Sequence, residues 1–219
     1  MDLTAIDDLL ATPLQVDETS ERAAFYLQNR TLIETWVLLR GEAADAVQNA
    51  IFDMAGPLQA DLRQLGVPDA VLHVDRGKWP VVSLAAPEWR RGPGLSPIQI
   101  GIECVKTPIG ERGDLRLYAA VIAPISHPMS KIYQPAVAEL SVSLRSRLGH
   151  EWKANLPRWP VFSYVATTEE SWTIHGLVNQ AREKFLRLWS VAAPEIDRMM
   201  SQNLRQHVDQ DAGIAGPAQ

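Results

Sequence analysis

Acidic and basic side chains that could serve a metal-dependent hydrolase occur near the middle of the chain. Asp75 is followed at a distance by Glu103 and Lys106, the last two lying within one short run of alternating residues. An acid and a lysine that project from the same face of a strand can hold a metal ion and polarise a phosphate beside it. Phosphodiester cleavage is the reaction that this set of side chains would carry out.

The nearest chemical pattern is that of the PD-(D/E)xK nucleases, in which the acid and the lysine are two residues apart. Here Lys106 is three residues after Glu103, so a regular strand places the two side chains on opposite faces, and only a bulge would bring them together. The proline that precedes the first acid in that pattern is also missing at Asp75. A degenerate or inactive PD-(D/E)xK nuclease-like protein with Asp75, Glu103 and Lys106 is therefore the alternative hypothesis. Otherwise Glu103 is expected to pair with Arg116 or with an arginine of a helix.

Other catalytic chemistry lacks support in the sequence. Cys104 falls on the apolar face of its strand and is predicted to be a small core residue. The five histidines lack the close paired spacing of metal sites, and no nucleophile elbow or phosphate-binding glycine loop occurs. We predict no metal and no cofactor, and the chain is interpreted as a non-enzymatic protein.

Tryptophan and arginine provide the main indication of binding. Tryptophan accounts for 7 of the 15 aromatic residues, and several tryptophans stand next to a basic residue. Both residue types are common in binding hot spots. Trp89, Arg90 and Arg91 lie in a loop rich in glycine and proline, where we predict that they contact a protein partner or a small anionic ligand. Trp79 and Trp159 are predicted to contribute to the same function.

A nine-residue echo relates the last two tryptophans. Residues 78–86 and 158–166 share Trp, Pro, Val, Ser and the final Ala in register. One interpretation is that both segments simply use the same chemistry to begin a strand, where proline is tolerated. The other is a pair of aromatic and basic anchors that frame one groove.

The spacing of apolar residues predicts the elements that must position these side chains. Residues 21–65 predict two or three helical segments, with breaks at Gly41 and at Gly56-Pro57. Short alternating runs predict an antiparallel sheet of about five strands, at residues 71–74, 81–85, 98–105, 115–122 and 159–166. A helix over 135–148 and a long C-terminal amphipathic helix, capped by Thr167 and Glu170, complete an α+β fold.

Composition sets the remaining expectations. The net charge of −5 disfavours nucleic acid as a partner, and no apolar run approaches the length that spans a membrane. The single cysteine and the lack of a leader-like N-terminus indicate a cytoplasmic protein. Residues 1–17 and 205–219 are predicted to be disordered, which leaves one domain over 18–204. A homo-oligomer built through the long C-terminal helix is compatible with these features.

Overall fold

The computed structural model describes residues 18–77, 79–90, 96–109, 115–123, 130–165 and 173–214. In chain order the elements are α1 (Glu18–Asp53), α2 (Ala55–Gln64), β1 (Val71–Asp75), β2 (Val81–Ala85), β3 (Gln99–Ile109), β4 (Leu115–Ile122), α3 (Ser130–Leu148), β5 (Lys153–Asn155), β6 (Trp159–Tyr164) and α4 (Ile174–Ile214). One turn of 3-10 helix, Pro87–Trp89, follows β2. Residues 1–17, which the sequence predicts to be disordered, lie outside the described residues.

The six strands form one antiparallel sheet in the order β1-β2-β3-β4-β6-β5. Side chains along each strand alternate between its two faces. On the first face, the apolar residues of β3 and β4, such as Ile100, Ile102 and Leu117, are fully buried in the main core. Residues of α3 and α4, such as Leu144 and Phe185, belong to that same core, which the burial of apolar surface stabilises.

The second face of the sheet carries a smaller aromatic cluster. Its buried members are Val81, Tyr118, Ala120, Ile122, Trp159 and Phe162, and Trp79 packs against them. The ring of Tyr118 lies within 6 Å of three other aromatic rings, measured between centroids. Polar residues of β3, including Glu103, alternate onto this face, so the aromatic cluster and the candidate acid meet there.

The chain divides into two compact units, residues 1–42 and 43–219. In the first unit the described residues are the N-terminal part of α1, whose large apolar side chains are mostly exposed. The second unit contains the sheet and its helices. No helix in the described ranges is both long and apolar enough to cross a membrane.

The α+β fold predicted from the sequence is confirmed, with several changes of detail. The sheet has six strands instead of about five, and the additional strand is the short β5, which was not predicted. Gly41 does not interrupt α1, and the break falls at Met54, just before Pro57 in the first turns of α2. The helix expected at 135–148 begins five residues earlier, with Pro135 inside it.

The C-terminal helix also differs in its ends. The predicted cap residues Thr167 and Glu170 lie outside the described residues, and α4 begins at Ile174. Thr173 caps it instead, because its Oγ1 accepts a hydrogen bond from Gly176 N at 3.0 Å. The helix runs on to Ile214, past residue 204, where the sequence placed the end of the folded domain.

Candidate functional site

A buried carboxylate lies at the centre of the second sheet face. Glu103 is 0% exposed, and its Oε1 accepts hydrogen bonds from Arg158 Nη2 at 2.7 Å and Arg158 Nε at 3.2 Å. Its Oε2 accepts a third bond from the indole Nε1 of Trp159 at 3.1 Å. A carboxylate this deeply buried is tolerated only with such partners.

Two indole rings flank the arginine that holds this carboxylate. The guanidinium carbon of Arg158 lies 5.6 Å from the ring centre of Trp79 and 5.7 Å from that of Trp159. The two rings meet edge to face, with centroids 6.1 Å apart. We refer to Glu103, Arg158, Trp159 and Trp79 as the Glu103 cluster.

The strand register explains how these residues meet. Glu103 lies on β3 between Val81 of β2 and Tyr118 of β4. Trp159 is the first residue of β6 and Arg158 immediately precedes it. The Arg158 carbonyl accepts a hydrogen bond from Ala123 N, just after β4, at 2.8 Å. The two similar segments, residues 78–86 and 158–166, meet where the rings of Trp79 and Trp159 are in contact. Trp159 is buried, so its ring does not form an exposed anchor.

The chemistry of Glu103 reflects this environment. Burial raises the pKa of its carboxyl group, while the hydrogen bonds and the positive charge of Arg158 offset part of that increase. The negative charge of Asp75 adds a smaller upward contribution. Because the arginine satisfies one oxygen and the indole the other, the carboxylate serves to fix the orientation of Arg158.

The three residues of the nuclease alternative are only partly brought together. Asp75 and Glu103 lie in one row across the sheet, on either side of Val81. Asp75 is exposed, and its Oδ1 accepts a hydrogen bond from Gly77 N at 2.8 Å. Among the described residues no group of three or more His, Cys, Asp or Glu side chains could hold a metal ion.

Lys106 lies in the part of β3 where the regular pairing with β4 is lost. The register shifts between Cys104 and Ile109, which is the kind of irregularity that the nuclease alternative requires. The side chain of Lys106 lies outside the described residues. The expected partner of Glu103 was Arg116 or a helix arginine; the observed partner is Arg158, which precedes β6.

The prediction that Trp89 stands exposed in its loop is wrong. Its side chain is 0% exposed, stacks on Trp189 of α4 with centroids 5.4 Å apart, and donates a hydrogen bond to Asp197 Oδ1 at 2.6 Å. The 3-10 turn after β2 directs the ring inward against the long helix. Trp89 therefore anchors α4 and offers no ring face to a partner.

The other residues of that loop give little support to an anion site there. Arg90 is exposed, and Arg91 lies outside the described residues. A cleft of about 300 Å³ beside Trp89 is lined mostly by apolar residues, and the charged residues of its lining are Asp69, Glu88 and Asp197. Acidic side chains repel an anionic ligand, so the described part of this cleft does not suit one.

Cys104 is the small core residue that the sequence predicted. It is fully buried, and burial raises the pKa of its thiol to about 12. Since only the thiolate is a nucleophile, we expect no reaction of the folded protein with a disulfide reagent at pH 7 to 8 and one reacting thiol after unfolding in guanidinium. Rapid labelling of the native chain would contradict this placement.

No known protein family, curated protein or solved structure matches this chain. The function must therefore be argued from the residues themselves. Among the three tryptophans predicted to bind a partner, Trp89 and Trp159 are buried, whereas Trp79 is half-buried and lies beside the Arg158 guanidinium.

Proposed function

We propose that this chain is a non-enzymatic binding protein, and that Arg158 and Trp79 engage a carboxylate or phosphate group of a protein partner or small ligand. The observation that carries the proposal is the fixed position of Arg158. Its side chain is 29% exposed, although Glu103 and two indole rings hold it in place.

The hydrogen bonds leave the arginine with donors to spare. A guanidinium has five N–H groups, and two of the Arg158 bonds go to Glu103. No further bond to another described residue is seen, so three N–H groups, two of them on Nη1, are available to an anion. A planar fork of this kind suits the paired oxygens of a carboxylate or a phosphate.

Pre-organisation raises the value of those donors. A long, flexible side chain loses conformational entropy when it is ordered by a ligand, at a cost of about 0.5–1.5 kcal/mol. In Arg158 the buried carboxylate and the two rings supply that ordering before a ligand arrives. Trp79 adds a half-buried ring beside the guanidinium, and tryptophan next to arginine is typical of a binding hot spot.

The proposal is tested by comparing two arginine variants of the full chain. Arg158→Lys keeps the charge that faces Glu103 but removes the planar fork, so we expect affinity for phosphate to fall about tenfold. Arg90→Lys makes the same change at an exposed arginine outside the cluster, and its affinity should equal that of the wild type. Dissociation constants come from NMR titrations with inorganic phosphate, after thermal unfolding has shown that both variants fold.

Two further ligands distinguish the source of the anion. A short phosphoserine peptide that binds more tightly than inorganic phosphate would indicate a protein partner, and equal affinities would indicate a small ligand. Acetate tests whether a carboxylate suffices. Equal affinities of Arg158→Lys and the wild type, or a loss confined to Arg90→Lys, would contradict the proposal.

A degenerate nuclease-like protein is the second candidate, and two observations favour it. The pairing of β3 shifts next to Lys106, and the charge of Asp75 acts on Glu103 from the same sheet face. The test is Mn²⁺-dependent nicking of supercoiled DNA by the wild type and by Glu103→Gln. Nicking that requires both the metal and Glu103 would replace the binding proposal with this one.

A further inference from the structure

In the exposed part of α1, side chains recur at the spacing of the residues that pack together in a coiled coil. Phe25, Asn29, Leu32, Trp36 and Leu39 follow one another at intervals of four, three, four and three residues. This alternation repeats every seven residues and places all five on one stripe of the helix. Four of them are large and apolar, and the fifth is an asparagine.

The four apolar side chains of this stripe are exposed. Phe25 is 64% exposed, Trp36 61% and Leu39 54%, whereas the tryptophans of the sheet and of α4 are largely buried. Trp36 is thus a binding candidate, although no basic residue stands next to it in the sequence as one does beside Trp79 and Trp89. Contiguous apolar surface of this kind marks an interaction site.

We infer that this stripe pairs with the same stripe of a second copy of the chain, in a parallel and in-register coiled coil. A single asparagine within an otherwise apolar seam fixes the register and the number of helices, because its best partner is the asparagine of an identical helix. Asn29 occupies that position here. In each helix Asn29 Nδ2 donates one hydrogen bond to Phe25 O at 2.9 Å, which leaves its second N–H and its Oδ1 for the partner's Asn29. In register, the two amide groups face each other, and the apolar residues on either side pack in layers.

Area and charge are both consistent with a second copy. The four apolar side chains of the stripe, Phe25, Leu32, Trp36 and Leu39, are each about half exposed or more. They offer on the order of 500 Å² per chain, so two copies bury about 1,000 Å² in all, which is the lower end of specific interfaces and typical of a dimer that depends on concentration. Residues 18–42 contain three arginines and four glutamates, so this helix lacks the basic face that an anionic membrane surface would select.

Two neighbouring leucines provide a matched test. Leu39→Glu places a charge in the seam, while Leu38→Glu makes the same change at an adjacent, 68% exposed residue off the seam. We expect the wild type and Leu38→Glu to have the mass of two chains in light scattering at about 100 µM. Leu39→Glu should be monomeric, because we expect the dissociation constant of its dimer to be at least about 100-fold larger than that of the wild type.

Orientation is tested with an introduced cysteine, because Cys104 is buried and does not interfere. Leu39→Cys should form a disulfide-linked dimer on oxidation, since a parallel in-register pair brings the two new thiols together. A monomeric wild type at about 100 µM, equal dissociation by Leu38→Glu and Leu39→Glu, or no cross-linking of Leu39→Cys would each overturn the inference.

Discussion

Replacing Arg158 with alanine should lower the free energy of unfolding by about 3–5 kcal/mol at pH 7. The loss comes from Glu103, which is fully buried and would be left without its charged partner. The indole of Trp159 would still donate to one carboxylate oxygen, but a single neutral bond does not compensate a buried negative charge. Urea unfolding monitored by circular dichroism measures the effect.

The same variant should become more sensitive to pH. Burial already raises the pKa of Glu103, and removing Arg158 raises it further because the two effects of that arginine that lower the pKa are lost. The folded state then holds the proton more tightly than the unfolded state does. Stability therefore falls as the pH rises from the ordinary pKa of a glutamate through the raised one, and the variant should be closer to the wild type at pH 4 than at pH 7.

A double variant separates this explanation from a loss of packing. Glu103→Gln with Arg158→Ala removes the buried charge together with its partner, so most of the lost stability should return at pH 7. The double variant should also lose the added dependence on pH. If it is as unstable as Arg158→Ala alone, packing by the arginine stem is the cause and the assigned role of Glu103 is wrong.

Gly101→Ala should destabilise the sheet by about 3 kcal/mol or more. Gly101 lies between Ser83 of β2 and Ala120 of β4. A methyl group there would lie 2.5 Å from the carbonyl oxygen of Val82 and 2.6 Å from Cβ of Ser83. Because backbone atoms of a central strand pair cannot move aside, the two strands would have to separate.

The control for this prediction is a glycine with open space around it. Gly41 lies within α1, where an added methyl group meets nothing within 4 Å. Gly41→Ala should therefore be neutral or stabilise the chain by up to about 1 kcal/mol, because alanine favours helix. Equal effects of the two substitutions in chemical denaturation would contradict the close approach of β2 and β3 at Gly101.

Local periodicity was sufficient to predict most of the fold. The alternation along β3 predicted that Cys104 falls on the apolar face, and Cys104 is buried in the main core. The bounds of β2 and β4 are as predicted. The short β5 was missed because a three-residue strand carries too little alternation to be recognised.

The candidate site was harder to predict than the fold. Glu103 and Arg158 are 55 residues apart in the chain. Their contact depends on β6 pairing with β4 after an intervening helix, and no local pattern specifies that pairing. The similarity between residues 78–86 and 158–166 was the one signal that linked the two regions. It pointed to Trp79 and Trp159 but gave no indication of Glu103.

Trp89 shows why loop composition misleads about single side chains. Glycine, proline and arginine around it are typical of an exposed turn, and Arg90 is indeed exposed. The ring itself is buried because Trp189 and Asp197, a hundred residues or more along the chain, provide a stacking surface and an acceptor. Exposure of a large side chain is set by such distant partners, which the neighbouring sequence does not reveal.

The most direct test of an anion site at Arg158 is an NMR titration of the wild type with inorganic phosphate, observed at the indole N–H signals. The rings of Trp79 and Trp159 lie within 6 Å of the Arg158 guanidinium, whereas Trp89 stacks on Trp189 of α4. We expect saturable shifts of the Trp79 and Trp159 signals, with the Trp89 and Trp189 signals unchanged. Saturable shifts at Trp89 and Trp189 alone, or none at any indole, would contradict the proposed binding function.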